Sequence, residues 1–556
     1  MNTDDFIYEF LLSNGLIDQQ SLSSAKERAQ KEGVPLDIMA FRMGLLNKDE
    51  YLKKLSDELN IEAVDISNVQ IPGEAVAVLP AKVAIHYGVL PLALEGNILT
   101  VAFPDNIYFT AIDDIKLLTG KDISAVLAWR EDIESAIKRY YGIGAEAIEQ
   151  MDNEQVDSAV VSDDFKSLDT DTSQASIVRF VNQILMQAVK ENASDLHIEP
   201  YEDEVTMRFR IDGILHMAPT PANMRSIYPS VVARIKVMAG MDIAEKRLPQ
   251  DGRIRARISG QELDLRVSTM PSQYGESVQI RILRKEGFLG INNLGFSDKN
   301  LNIIKSTIMN PWGLVLITGP TGSGKSTTLY ACLSEINKPT VKIITLEDPI
   351  EYQIKGILQM QIQPKIGFDF ALGLRHILRH DPDVVMIGEM RDSETAEIGV
   401  RASLTGHLVF STLHTNDAPG AITRLIDMGI KPYLVASALK CVVAQRLVRR
   451  ICPSCRRGKF VPASSLPIKD ERDSVEVFFG EGCPECHFTG YKGRYGIHEV
   501  LPIDDEIRDM IIENVSSQEI MNKAVEKGMI TLLEDGIHKA IKGITSVEEV
   551  YRVVQE

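Results

Sequence analysis

The sequence predicts a multidomain α/β protein whose last domain holds a parallel sheet covered on both faces. Three observations predict it. From residue 297 to 556 apolar strand-like runs alternate with helical stretches, the pattern of a buried parallel sheet. A glycine-rich segment, Gly319-Pro320-Thr321-Gly322-Ser323-Gly324-Lys325-Ser326-Thr327, lies between the apolar run Gly313–Thr318 and a helical stretch from Thr327 to Ile336. An acidic stretch, 143–172, lacks hydrophobic periodicity and separates the N-terminal 142 residues from the rest of the chain.

At 556 residues the chain exceeds what one core organises, and three or four domains are expected. No apolar run approaches the ~20 residues of a membrane span, and Met1-Asn2-Thr3-Asp4-Asp5 has no basic secretory leader. A cytoplasmic location is expected, with membrane contact through partners. The net charge of −18 argues against a general nucleic-acid binder, which needs a basic footprint.

Residues 1–60 carry a weak internal repeat. Leu11–Asp18 matches Ala40–Asn47, each with a Gly turn (Gly15, Gly44) and an Asp or Asn cap before a second helix. This reads as a small helical docking module. Residues 61–142 read as α+β, with a hairpin at Val89–Leu94 and Ile98–Ala102 around Glu95-Gly96-Asn97, then helices at Tyr108–Leu118 and Glu131–Tyr141. The stretch 143–172 holds nine acids and one lysine among Ser, Thr and Gln, a solvated flexible linker.

Residues 173–285 form a second α+β unit, with a helix from about Ile177 to Glu191 followed by strands. Thr206, Arg208 and Arg210 alternate onto one face, and Arg253, Arg255 and Arg257 alternate again further on. Arg266 and Arg281 lie in later strands. This row of cations reads either as a salt-bridged face or as a surface turned toward another subunit's nucleotide.

Residues 297–556 carry the chemistry. The glycines of Gly319–Thr327 turn backbone N–H groups toward phosphates, and the helix N-terminus adds partial positive charge. Lys325 reaches the β/γ-phosphates and Ser326 holds Mg²⁺, so the chain binds a nucleoside triphosphate with Mg²⁺. Three further strands are expected to bring polar groups to the same sheet edge, where open α/β sheets bind ligands. Val341–Leu346 runs into Glu347-Asp348-Pro349-Ile350-Glu351, and one of those acids orients the attacking water. Asp381–Ile387 runs into Gly388-Glu389, an acid suited to Mg²⁺, with Arg375, Arg379 and Arg391 around it. Arg375 and Arg379, at i and i+4, share a helix face. Leu408–Leu413 runs into His414-Thr415-Asn416, donors suited to a γ-phosphate.

Two pairs, Cys452-Pro453-Ser454-Cys455 and Cys483-Pro484-Glu485-Cys486, are 27 residues apart. In a chain of this kind they read as four thiolates closing a structural zinc site. Cys332 and Cys441 sit in apolar contexts and read as packing residues.

These motifs resemble, over nearly the whole chain, the type II secretion and type IV pilus assembly ATPases. Gly319–Thr327 is similar to that family's Walker A, Glu347–Glu351 to its aspartate box, Gly388-Glu389 to its atypical Walker B, and Thr405-Gly406-His407 through Asn416 to its histidine box. The four cysteines resemble the zinc subdomain of secretion and assembly members, here at about 450–490. The resemblance implies a RecA-like P-loop NTPase core over 297–556, preceded by α+β domains, the second of them PAS-like, and a small helical N-terminal module. It implies a homo-hexameric motor that assembles a pilus or pseudopilus and docks on inner-membrane platform proteins through its N-terminal domains. It implies that Arg210, Arg375, Arg379 and Arg391 serve nucleotide sites, some across subunit boundaries. A ring-type nucleic-acid translocase of DNA uptake or conjugation is the alternative. The Gly15/Gly44 repeat also resembles the spacing of a cyclic di-GMP-binding module, without that module's Arg-Leu-Gly start. The aspartate box leaves the water-positioning acid between Glu347 and Glu351, with Glu351 favoured.

Overall fold

The computed structural model describes residues 3–32, 34–66, 69–104, 109–142, 172–221, 223–258, 261–284, 290–468 and 472–555. The expected linker, 143–172, lies outside the described residues except for Thr172, which opens a helix. The chain divides into two compact units, residues 1–283 and 284–556.

The first unit begins with four helices, Thr3–Ser13, Gln19–Glu32, Leu36–Arg42 and Lys48–Leu59. Both copies of the repeat turn at a glycine in the left-handed region, Gly15 at φ 66° and Gly44 at φ 69°. In each a short side chain then satisfies the amides that open a helix. Asp18 Oδ1 accepts from the amides of Gln20 and Ser21, both at 3.0 Å, and Asn47 Oδ1 accepts from those of Asp49 and Glu50 at 3.0 and 3.2 Å. The division expected at residue 60 is not a division of the core. Phe10, Leu36, Tyr51 and Leu55 pack in one cluster with Leu127 and Trp129 from beyond it.

Strands β1 (Leu90–Glu95) and β2 (Ile98–Phe103) form the expected hairpin. A third strand, β3 (Asp122–Leu127), joins β2 in parallel. Helix Thr172–Lys190 leads into β4 (Asp195–Pro200), β5 (Val205–Ile211), β6 (Ile214–Ala218), β7 (Gln250–Ile258), β8 (Gln261–Ser272) and β9 (Gly275–Arg284), a six-stranded sheet ordered β6-β5-β4-β9-β8-β7. Asp212 and Gly213, both with positive φ, make the β5–β6 turn. Helix Met224–Ala239 contributes to the core on this sheet.

Much of the arginine row is paired on its own sheet. Arg253 Nε donates to Asp264 at 2.6 Å, Arg257 pairs with Glu262 at 3.0 Å, Arg281 with Asp195 at 2.9 Å, and Arg208 with Glu199. Arg210 donates to the carbonyl of Gly213 at 2.8 Å. The salt-bridged reading therefore accounts for four of these arginines, Arg208, Arg253, Arg257 and Arg281.

In the second unit the strands are β10 (Gly313–Thr318), β11 (Ile343–Glu347), β12 (Leu358–Gln361), β13 (Val384–Ile387), β14 (Leu408–Leu413), β15 (Leu439–Ile451), β16 (Arg456–Pro462), β17 (Ser474–Gly480) and β18 (Tyr491–Pro502). Seven form one sheet ordered β12-β11-β13-β14-β10-β15-β18. All neighbours run parallel except β18, which is antiparallel to β15, so the expected parallel sheet carries one antiparallel edge. Every residue of β10, β11, β13 and β14 is buried. Separate clusters cover the two faces. One packs Leu316, Val385 and Val442 against helices Ser393–Leu404 and Ala418–Asp427; the other packs Val315, Ile317 and Val443 against helices Asp298–Ile308 and Lys325–Ile336. β16 and β17 pair as a separate antiparallel hairpin.

Candidate functional site

The parallel arrangement brings the carboxyl ends of β10, β11, β13 and β14 to one edge of the sheet, and each releases a polar segment there. From β10 the chain enters Gly319–Gly324 and then helix Lys325–Ile336, which begins two residues before the expected start at Thr327. Gly319, Gly322 and Gly324 have φ of 147°, 81° and 88°. A Cβ on Gly319 would lie 2.5 Å from the Gln445 carbonyl oxygen, so glycine is required there by contact as well as by conformation. Lys325 Nζ donates to the carbonyls of Gly319 and Pro320 at 2.7 and 3.0 Å. Burial pushes the Lys325 ammonium down to about 8, the Glu389 carboxylate opposing and Arg446 reinforcing the shift.

The β10 and β14 edges are laced together. Thr318 Oγ1 lies 2.7 Å from Thr415 Oγ1 and accepts from the Thr415 amide at 2.9 Å. Glu389 follows β13. Its carboxylate meets Arg391 Nη2 at 2.5 Å and His414 Nε2 at 3.5 Å, so Glu389, Arg391 and His414 form one group. Burial lowers the His414 pKa, the Lys325 charge adds to this, and Glu389 works against it. The imidazole is therefore neutral at pH 7 and has one N–H to donate.

Glu347, the last residue of β11, is only 4% exposed. It accepts from Tyr330 Oη, from Thr345 Oγ1 at 2.5 Å and from Gln359 Nε2 at 3.0 Å. Three of its roughly four acceptor sites are committed to the protein. Tyr330 also receives the amide of Glu351 at 3.3 Å, so this tyrosine on helix Lys325–Ile336 ties both glutamates of the segment to the loop helix.

Arg375 and Arg379 do not share a helix face as expected. Helix Phe370–Ile377 ends before Arg379, whose Nη2 lies 2.8 Å from His376 Nδ1. Arg375 pairs with Glu394 on the neighbouring helix. Arg210 belongs to the other unit.

Sequence reasoning missed Tyr330, Gln359, Gln445 and Arg446. Gln445 Nε2 donates to the Ser323 carbonyl at 2.8 Å, and Thr328 Oγ1 donates to Gln445 Oε1 at 2.6 Å. Arg446 is 5% exposed and donates to Asn416 O and Oδ1 at 3.2 and 3.3 Å. The available signal was two polar residues in succession inside Leu439–Ile451, a run otherwise readable as a buried strand.

The four cysteines converge as expected, with all Sγ atoms within 4.8 Å of one another. Cys452–Cys483 and Cys455–Cys486 are 3.8 Å apart, and Cys483–Cys486 3.7 Å. A tetrahedron with Zn–S bonds of about 2.3 Å has edges of about 3.8 Å, so the donor set fits zinc. Hairpin β16–β17 lies in the sequence between the two pairs. Cys332 and Cys441 are fully buried packing residues, and burial pushes the Cys332 thiol up to about 12.

The sequence profile of the type II/IV secretion system protein family matches residues 170–552, and that of the MshEN domain matches residues 59–147, beginning where the helical repeat ends. A type IV pilus assembly ATPase, PilB, of Myxococcus xanthus is 40% identical over 559 residues, spanning 98% of this chain and 97% of its own length. Type II secretion system protein E of Xanthomonas campestris pv. campestris is 39% identical over 559 residues, spanning 99% and 98%. Among solved structures, the Yersinia pseudotuberculosis ATPase DotB matches 71% of this chain and 96% of its own with a TM-score of 0.50 at 19% identity, a likeness of fold.

Proposed function

The chain belongs to the type II/IV secretion system protein family and is an ATPase, and from that premise we propose that it is the motor that assembles a pilus or a secretion pseudopilus, working as a ring of six copies. Near full-length similarity to an assembly ATPase and to a type II secretion E protein supports the reading. The observation that carries it is the single sheet edge where the phosphate loop, Glu347–Glu351, Glu389 and His414 emerge side by side.

In this reading ATP lies with its phosphates over Gly319–Thr327. Backbone amides of the loop and the N-terminus of helix Lys325–Ile336 face the phosphate oxygens. Lys325 leaves its loop carbonyls for the β/γ-phosphates. The hydroxyl of Ser326, in the first turn of that helix, and the carboxylate of Glu389 would hold Mg²⁺, which when bound would supply charge neutralisation at the phosphates. Glu351 orients the water, because Glu347 already accepts from Tyr330, Thr345 and Gln359. Neutral His414 donates toward the γ-phosphate. Arg391, Arg375 and Arg379 add positive charge around this edge, and Arg210 serves a neighbouring subunit's nucleotide. The cysteine set holds zinc as a structural clip for hairpin β16–β17.

Among the described residues no helix is long and apolar enough to cross a membrane. In this reading the motor acts at the cytoplasmic side of the inner membrane, held there by platform proteins bound to residues 1–142. Lys325→Ala and Glu351→Gln test the site. Both are expected to fold and to lower ATP turnover by ~100-fold or more, in the range of a lost catalytic contact. Lys325→Ala turning over at the wild-type rate would refute the site.

A further inference from the structure

Gln445 and Arg446 are consecutive on β15, so they point to opposite faces of the sheet. The contacts bear this out. Gln445 reaches the phosphate loop and the helix that follows it, accepting from Thr328 Oγ1 on helix Lys325–Ile336 at 2.6 Å and donating to the Ser323 carbonyl in the loop at 2.8 Å. Arg446 reaches the segment after β14, where Nη2 donates to both oxygens of Asn416 at 3.2 and 3.3 Å, while Nη1 donates to the Gln445 carbonyl at 3.1 Å. The first loop glycine rests against the pair: a Cβ on Gly319 would lie 2.5 Å from Gln445 O and 3.1 Å from Arg446 Nη1. Both side chains are nearly excluded from solvent, at 3% and 5% exposed.

A buried guanidinium and a buried amide are costly to place in a strand unless their donors are used. Here the donors are used on two loops that must be in register for catalysis. From this geometry we infer that Gln445 and Arg446 are positioning residues for ATP hydrolysis. Gln445 presets the phosphate loop. Its Nε2 bond holds the Ser323–Gly324 peptide, whose orientation decides whether the loop amides face a phosphate, and the bond it accepts from Thr328 holds the amide in that pose. Arg446 sets the His414–Asn416 segment at its distance from that loop. The roles therefore separate: Gln445 governs nucleotide binding, and Arg446 governs the step after binding.

The inference rests on the ATPase site described above, and the test keeps the two apart. Full-length Gln445→Glu, Thr328→Val and Arg446→Lys are compared with wild type and Lys325→Ala for steady-state ATP turnover and for equilibrium binding of a fluorescent ATP analogue. Gln445→Glu keeps shape and the acceptor for Thr328 but replaces the donor to Ser323 with a carboxylate. It is expected to raise KM and Kd about tenfold with kcat within about twofold, the scale of one buried hydrogen bond. Thr328→Val, which retains the side-chain shape, shifts KM and Kd in the same direction and covers the case in which Gln445→Glu does not fold. Arg446→Lys keeps the charge but not the fork that spans Asn416 and Gln445. It is expected to lower kcat about tenfold with Kd within about twofold. Equal shifts in KM and kcat for all three variants, or no shift in any, overturn the positioning roles. Wild-type turnover by Lys325→Ala would instead overturn the site itself.

Discussion

Glu499 offers a pH test of the packing behind the site. It lies on β18 at 2% exposure, and its two oxygens accept the Ala418 amide at 2.8 Å and the Leu532 amide at 3.4 Å. It thus anchors the first turns of helices Ala418–Asp427 and Leu532–Ile541. Burial raises its pKa from 4.5 to about 7; the Ala418 amide opposes this, Asp417 adds to it, and the Leu532 amide and Arg446 pull it back. Because the folded value is the higher one, the stability held by the neutral carboxyl is fully present below about 4.5 and is lost as pH rises through about 7. The interval between 4.5 and about 7 corresponds to the order of 3 kcal/mol, which is several degrees of melting temperature for a unit of this size. Glu499→Gln keeps the shape and an acceptor but cannot ionise. Thermal unfolding followed by circular dichroism from about pH 4 to 8.5 should show the smallest difference between the two proteins at the acidic end. The variant should gain on wild type as pH rises from about 4.5 through about 7 and hold that lead above it. Parallel curves, or a wild type that gains on the variant as pH rises, would refute the reasoning.

The proposed zinc site and the proposed ring each carry a further expected outcome. Freshly purified protein should contain about one zinc per chain by elemental analysis; Cys483→Ser should lose most of it and expose the β16–β17 hairpin to protease, and metal-free wild type would count against the site. Arg210→Ala and Lys325→Ala should each be inactive alone yet recover part of the ATPase activity when co-assembled, since an arginine acting in trans can be worth about 10³–10⁵ in rate. Mixed rings showing only the sum of the residual activities would exclude that role for Arg210.

The strands that carry the chemistry were legible because they are buried throughout. In β10, β11, β13 and β14 an apolar run ends abruptly in a polar group, and that abruptness marks the edge of the candidate site. The repeat around Gly15 and Gly44 was legible for a different reason: a positive-φ glycine and a capping Asp or Asn are local requirements, readable without tertiary contacts. Long-range pairing was not. Asp122–Leu127 mixes polar and apolar residues over six positions and becomes a strand only through its partner β2. The fate of the arginines depended on register: Arg253 stands directly across from Arg266 yet reaches diagonally to Asp264. The clamp of Gln445 on Ser323 joins positions 122 residues apart, and only the sheet order that sets β15 beside β10 brings them together.

Fibre assembly in the cell of origin bears most directly on the motor reading. Cells whose only copy of this chain carries Lys325→Ala, at wild-type protein level, are scored for surface pili by electron microscopy and for secreted protein in the medium. Loss of the fibre or of the secretion that the wild-type gene supports, with restoration by the wild-type chain, is the predicted result. Wild-type numbers of fibres and wild-type secretion in those cells would contradict it.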